Sequence, residues 1–496
     1  MTEVIPHWLD KQADLSPDGN AIETPAGINV TFWQLRDQSR SYAKKLAAAG
    51  VKQGDHVAIL SGNCIEMAIA IHAISYIGAV AVLLNIRLSP SEIAFQLNDA
   101  HVSLLLTHPE AAELAEQAGT YKDSSLVIRR FADIDRYAAA NISLKQELRL
   151  DDLFTIIYTS GTTGFPKGVE HTYGNHWWSA VSSVLNLGLA SQDKWLASLP
   201  LFHVGGLSLL VKSVVYGMPV YLLKKFDVEL IHQGIIAGKV TIVSVVSVML
   251  ERLLERLEGG SYPASFRCML LGGGPASQTL LEKAKQYQVP VFQTYGMTET
   301  SSQIVTLSPK EALAKLGSAG KPLFPAQLKI MSAEESSPIG EVGEIFVKGP
   351  MVTRGYYKNE QANQKTFQDG WLATGDLGYL DQDGFLYVMD RRKDLIISGG
   401  ENVYPAEIES VLTGIEGVKE AGVIGKSDRQ WGEVPVAFAV RADKNLTKEE
   451  VLEHCRKHLA KYKVPKQIYF ISEMPRNASN KLVRHQLAAF LKDEEK

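Results

Sequence analysis

Cysteine is scarce in this 496-residue chain, which holds three: Cys64, Cys268 and Cys455. They are far apart and odd in number. That excludes a disulfide framework, gives no metal-ligand spacing and points to a reducing cytoplasmic setting. Each reads as a small core residue. A surplus of charge is also missing: 51 Lys and Arg stand against 55 Asp and Glu, a net charge of −4. A nucleic-acid surface requires clustered excess cations. The basic run Arg391-Arg392-Lys393 is broken at once by Asp394. Met1–Pro6 has neither the basic region nor the apolar run of a signal peptide. The uncharged stretch Met67–Asn85 is divided by Gly78 and contains His72 and Asn85. It reads as a buried helix over 67–77 and a buried strand over 79–84, so no transmembrane segment is expected. Internal repeats and low-complexity stretches are absent.

What is present is a globular balance, 45% hydrophobic and 21% charged, over a length that calls for two or more domains. Thr31 with Gln34 forms a capping box for a helix running toward Gly50. Val57 and Ile59 mark one face of an alternating strand. Ser89-Pro90-Ser91-Glu92 starts a helix that leads to the apolar strand Leu104–Leu106. Val240–Leu250 opens as another buried strand. This alternation implies mostly parallel sheets with helices on both faces. Gly340, Gly343, Gly349, Gly355, Gly370, Gly375, Gly378 and Gly384 divide residues 331–390 into short segments, a small β-rich subdomain. A tail of about 100 residues follows, long enough to be a domain. It contains a helix at Pro405–Leu412, strands at Ala421–Ile424 and Val436–Val440, and a helix capped by Thr447 with Glu450. The expected fold is α/β. A large multi-layer N-terminal domain over 1–392 carries mostly parallel sheets and the β-rich subdomain. A small α+β C-terminal domain spans 393–496.

The segment richest in chemistry is Tyr158-Thr159-Ser160-Gly161-Thr162-Thr163-Gly164-Phe165-Pro166-Lys167-Gly168, after the apolar strand Phe154–Ile157. Its glycines let amide N–H groups converge on one anion. Thr159, Ser160, Thr162 and Thr163 add hydroxyl donors, and Lys167 adds a charge. A polyphosphate suits such a loop. A generic Ser/Thr/Gly cluster would be a plain turn, but the preceding strand and the following Pro-Lys-Gly set this one apart. It is not a Walker A loop, which argues against an ordinary P-loop NTPase.

This segment resembles the signature of the acyl-adenylate-forming superfamily, which includes acyl-CoA synthetases, beetle luciferases and peptide-synthetase adenylation domains. Further blocks follow in the expected order as far as Lys481. Pro200-Leu201-Phe202-His203-Val204-Gly205-Gly206 is similar to the block whose histidine, here His203, sits beside the reacting carboxylate, with Gly205 at the acyl pocket. Gly272-Gly273-Gly274-Pro275 is similar to the stretch against adenine. In Tyr295-Gly296-Met297-Thr298-Glu299-Thr300 the resemblance implies adenine stacking by Tyr295 beside Gly296, Thr298 near the α-phosphate, and Glu299 as a Mg²⁺ ligand. Asp376 would bind ribose, Arg391 ribose or phosphate, and Asp394 would be the hinge. Gly399 and Gly400 would approach the coenzyme A channel, and Lys481 would be the adenylation lysine. Two positions depart from the family pattern. Asp390 replaces a glycine before Arg391, which leaves the local turn undetermined. Asn480 replaces the glycine before Lys481, and asparagine tolerates left-handed backbone.

The resemblance implies two half-reactions on ATP, Mg²⁺, coenzyme A and a small carboxylic acid. A carboxylate attacks the α-phosphorus to give an acyl-adenylate, and a thiol then displaces AMP after the C-terminal domain rotates. Phe202–Ser208 and Tyr295–Leu307 are most similar to a branch whose acid carries an aromatic ring and a second carboxylate. Ser302, Gln303 and Thr306 would hydrogen-bond that carboxylate, or else cap a helix or loop. A fatty-acid or aryl-acid ligase, a carrier-protein adenylation subunit and a catalytically silent nucleotide binder stay open as alternatives, as does a homo-oligomer.

Overall fold

A computed structural model describes residues 3–88, 90–121, 126–159, 166–257, 259–272, 276–332, 335–391, 396–398, 401–403, 405–428, 431–459, 461–477 and 480–492. Two large sheets dominate. One has six strands in the order Lys167–Thr172, Leu153–Thr159, Val80–Leu84, His56–Leu60, Leu104–Thr107, Val127–Arg130. All neighbours are parallel except the first pair. The other has nine strands, with a parallel centre that includes Trp195–Ala197, Ile242–Val245, Cys268–Leu271 and Val291–Met297. Antiparallel strands close both of its ends.

One core joins these sheets: Val57, Ile59 and Leu106 pack in the same cluster as Ile22, Trp195 and Val220. Helices between the sheets are therefore apolar on nearly every side. This explains the uncharged stretch at Met67–Asn85. It folds as the helix Ile65–Ile77, closed by Gly78 in the left-handed conformation (φ 78°), and the strand Val80–Leu84. Among the described residues no helix is long and apolar enough to cross a membrane. The strand His56–Leu60 is buried on both faces, with Ala58 and Leu60 in a second core cluster. Apolar side chains therefore point to both faces, and the strand does not alternate apolar with polar. The capping boxes at Thr31 and Thr447 form with Gln34 and Glu450.

Glycine-rich residues 331–390 contribute most of a third, antiparallel sheet containing Gln327–Ser332, Gly343–Lys348 and Trp371–Leu380. The strand Leu386–Arg391 pairs with Trp371–Leu380 and ends this sheet's share of the chain. Ile396–Ser398 already belongs to the last sheet, with Glu401–Val403, Gly432–Arg441, Val418–Asp428 and Gln467–Phe470. That sheet has its own core, around Val403, Ile408, Val423 and Val451. Its two long strands extend the expected segments on both sides, because the pair runs from Val418 to Asp428 with one register shift, between Val418 and Glu420.

Candidate active site

A cleft of about 1400 Å³ opens at the carboxyl ends of the parallel strands Ile242–Val245, Cys268–Leu271 and Val291–Met297. Ligands of open α/β sheets bind at this edge. Thr159, Lys167, His203, Gly205, Gly296, Thr298, Glu299, Ser302, Gln303 and Lys481 all line it. Segments hundreds of residues apart in sequence thus share one cavity. Expectations on Ser160, Gly161, Thr162, Thr163, Gly164, Gly273, Gly274, Pro275, Asp394, Gly399 and Gly400 lie outside the described residues.

Thr159 and Lys167 face each other across an antiparallel pair, so the phosphate loop joins two hairpin strands. The Lys167 ammonium lies 4.8 Å from the Tyr356 ring centroid. The Tyr356 hydroxyl donates to Glu299 Oε1 at 2.9 Å, and burial with the adjacent carboxylate pushes that phenol upward. Glu299 is buried, in a short turn over Thr298–Thr300. Among the described residues no cluster of three metal-ligating side chains occurs. One carboxylate lining the same cleft as Thr159 and Lys167 suits an ion that takes its remaining ligands from phosphate oxygens and water, as Mg²⁺ does.

Tyr295 and Asp376 do not themselves line the cleft. The Tyr295 hydroxyl donates to Asp376 Oδ2 at 2.9 Å, while their neighbours Gly296 and Gly375 reach the cavity. Asp376 is in register with the Arg391 backbone; the Arg391 side chain lies outside the described residues. Asp390 is part of an extended strand opposite Leu377, which any residue can adopt. Asn480 takes the left-handed conformation (φ 61°) that a glycine would supply. Asn477 brackets the following residue, exchanging its backbone N–H and side-chain carbonyl with the Lys481 carbonyl and N–H.

His203 occupies the N-cap position of the helix Val204–Tyr216, without a capping bond from its side chain. Gly206 is required at its first turn, since a Cβ there would lie 2.1 Å from the Pro200 carbonyl oxygen. Burial, with the charges of Lys481 and Arg87, pulls the His203 imidazole down to about 4. It is therefore neutral near pH 7. Ser302 and Gln303 start a strand, Ser302–Leu307, and cap no helix. Among the described residues, neither end of the buried Gln303 amide has a hydrogen-bond partner. Thr306, on the same strand, does not line the cleft.

The sequence reading missed Lys212. Val204, Ser208 and Lys212 recur every four residues along the helix, and all three face the cleft. Lys212 is 1% exposed, the least of the polar side chains lining the cavity. Its ammonium lies 4.7 Å from the Trp195 ring centroid. Trp195 donates its indole N–H to Ser244, another lining residue, at 2.9 Å. Among the described residues no carboxylate forms an ion pair with Lys212. Burial pulls its ammonium down to about 7, with a small opposing influence from Cys268. The signal was legible: Lys212 is the lone charge in Val204–Tyr216.

These features define a nucleotide-dependent acid-activating enzyme, and the chain belongs to the AMP-binding enzyme family. That family matches residues 9–357, and the AMP-binding enzyme C-terminal domain matches residues 407–481. The chain is 56% identical over 98% of its length to the whole of the 2-succinylbenzoate–CoA ligase of Oceanobacillus iheyensis. It is 48% identical to the o-succinylbenzoate CoA synthetase of Bacillus subtilis in complex with its acyl-adenylate intermediate, at TM-score 0.93 over 98% of both chains. That enzyme has also been solved with ATP and magnesium ion, again at TM-score 0.93, covering 98% of this chain and 100% of that one. A double mutant of it bound to a product analogue gives TM-score 0.76 at 48% identity, again over 98% of both chains.

Proposed function

We propose that this chain is an ATP-dependent acid–thiol ligase that converts 2-succinylbenzoate to 2-succinylbenzoyl-CoA, an AMP-forming step of menaquinone biosynthesis in the cytoplasm. The observation that carries the substrate assignment is Lys212, a buried ammonium facing the cleft with no carboxylate of its own. An isolated buried charge is costly unless something pairs with it. A second carboxylate on the substrate is the natural partner. Lys212 lies nine positions after His203 along the helix, a rise of about 13 Å. A lysine stem leaning back toward the helix N-terminus takes up roughly half of that. The remaining span suits the two carboxylates of one small aromatic acid. A fatty-acid pocket would leave the charge unpaired, so that alternative is disfavoured.

The reacting carboxylate lies by His203, whose neutral imidazole adds no competing charge. Lys167, Thr159 and the loop over 160–164 hold the triphosphate, with Thr298 at the α-phosphate. Glu299, fixed by Tyr356, would hold Mg²⁺, which when bound neutralises phosphate charge. Lys481 bridges the carboxylate and the α-phosphate. A carboxylate oxygen attacks the α-phosphorus and pyrophosphate leaves. The CoA thiolate sulfur then attacks the acyl carbon, and AMP leaves as the anhydride C–O bond breaks. Between these steps the domain over 393–496 turns about Asp394 relative to 1–392, carrying Lys481 out and Gly399-Gly400 in. Two TM-scores against one enzyme, 0.93 with adenylate and 0.76 with product analogue, support such a rearrangement.

The test is CoA- and ATP-dependent AMP release with 2-succinylbenzoate, benzoate and medium- and long-chain fatty acids. Preference for 2-succinylbenzoate, with its thioester seen by mass spectrometry, is expected. Preference for another acid would overturn the substrate, and no turnover with any would favour the silent binder. A pH effect follows from Lys212, whose ammonium titrates near 7 in the free protein. The charged form binds the second carboxylate. As pH rises through 7, kcat/KM for 2-succinylbenzoate should fall, approaching tenfold per unit. Pairing raises the ammonium's pKa in the complex, so kcat at saturation should hold to higher pH. Benzoate should not show this limb, and identical profiles for both acids would refute it.

A further inference from the structure

A buried chain of polar groups lies behind the turn Thr298–Thr300. His171, on the strand Lys167–Thr172, is fully buried, and its Nε2 lies 2.7 Å from the Thr298 carbonyl oxygen. A carbonyl only accepts, so Nε2 carries the proton and Nδ1 is an acceptor. The Thr155 hydroxyl lies 3.4 Å from His171 Nδ1 and 2.9 Å from His176 Nε2. It has one proton to give, which goes to His171, so His176 donates to Thr155. Every member then has a defined direction, from His176 through Thr155 and His171 to Thr298. Burial holds both imidazoles neutral, His171 at about 4 and His176 well below its ordinary value.

The turn requires such bracing. Ser301 (φ 53°) and Ser302 (φ 113°) follow it in backbone conformations that side-chain-bearing residues rarely adopt. Lys167 and His171 are two strand periods apart and so point to one face. That strand reaches the turn twice. Lys167 does so through the Tyr356 ring and its bond to Glu299, and His171 through the Thr298 carbonyl.

We propose that His171 is a positioning residue for adenylation, fixing the Thr298–Glu299 turn against the strand that begins with Lys167. The two triphosphate-facing groups are thereby held at one spacing. This rests on the ligase reading and deepens it. The test compares His171→Leu, which removes the donor, with His171→Gln, whose amide can still donate to the carbonyl. ATP–pyrophosphate exchange should fall about tenfold in His171→Leu, the equivalent of one lost buried hydrogen bond, and recover in His171→Gln. Thioester formation from supplied adenylate should stay within about twofold of wild type, since a support of adenylation alone leaves the second step untouched. Unchanged exchange in His171→Leu, or equal loss in both half-reactions, would overturn the proposal. Should His171→Leu fail to fold, Thr155→Val decides: a loss confined to exchange supports it, and unchanged exchange overturns it. Should wild type turn over no acid, the ligase reading falls, and equilibrium ATP binding decides instead. Weaker binding by His171→Leu at unchanged Tm supports the proposal, and equal binding sinks it.

Discussion

Lys212→Met is expected to raise the KM for 2-succinylbenzoate by about two orders of magnitude, the usual scale for losing one side of a desolvated charge pair. Methionine keeps most of the lysine's length and removes only the ammonium. With the acid bound, its second carboxylate would face Trp195, Ser208 and Ser244 without a counter-charge. In the free protein the same change removes a desolvated cation that, among the described residues, is offset only by the Trp195 ring and by no carboxylate, so Tm should hold or rise. Benzoate, having no second carboxylate, should be turned over at least as well as by wild type. The variant therefore separates substrate recognition from damage to the fold. The measurement is initial AMP release against both acids, beside a thermal melt. An unchanged KM for 2-succinylbenzoate would remove Lys212 from the acyl site and leave the buried ammonium unexplained.

Lys481→Ala should abolish adenylation, by about a thousandfold, the upper range for removing one group that stabilises developing charge. It should spare thioester formation from preformed adenylate. Lys481 and Asn480 come from the C-terminal segment yet line the same cleft as Lys167 and Thr298. The Lys481 charge is felt at His203, where the reacting carboxylate would lie. Once the adenylate exists and the C-terminal domain has turned, that charge has no task in the second step. Pyrophosphate exchange and single-turnover thioester formation measure the two halves separately. Equal loss in both would show that the lysine serves the fold or a shared step, and would contradict the rotation.

The two substitutions interrogate opposite ends of one cavity, and they differ in how visible they were. Lys481 is an unremarkable charge near a chain end. Only its place in Pro475–Lys481, similar to a family block, singled it out. Lys212 belongs to no such block. A single lysine in an apolar helix can equally snorkel to the surface, so the sequence alone does not mark it as a site residue. What removes that option is packing. The helix lies in the core shared by two sheets, and Lys212 is buried there beside the cleft, not at the surface.

The sequence by itself determined the features that depend on neighbours a few residues away. Thr31 and Gln34 close a capping box because both groups lie within one helical turn. Gly78 ends a helix because a glycine backbone bends left-handed without penalty, and Asn480, of a residue type that tolerates that conformation, adopts it before Lys481. The order of the phosphate loop, the Thr298–Glu299 turn and Lys481 is likewise written in the chain. Tertiary structure decided the pairings. Tyr356 reaches Glu299 across 57 residues, and His171 reaches Thr298 across 127. Periodicity tells which face of a strand is buried, but it does not name what lies beneath that face. Which strands adjoin is settled by the packing of the whole sheet, and only that packing turned separate polar residues into a site.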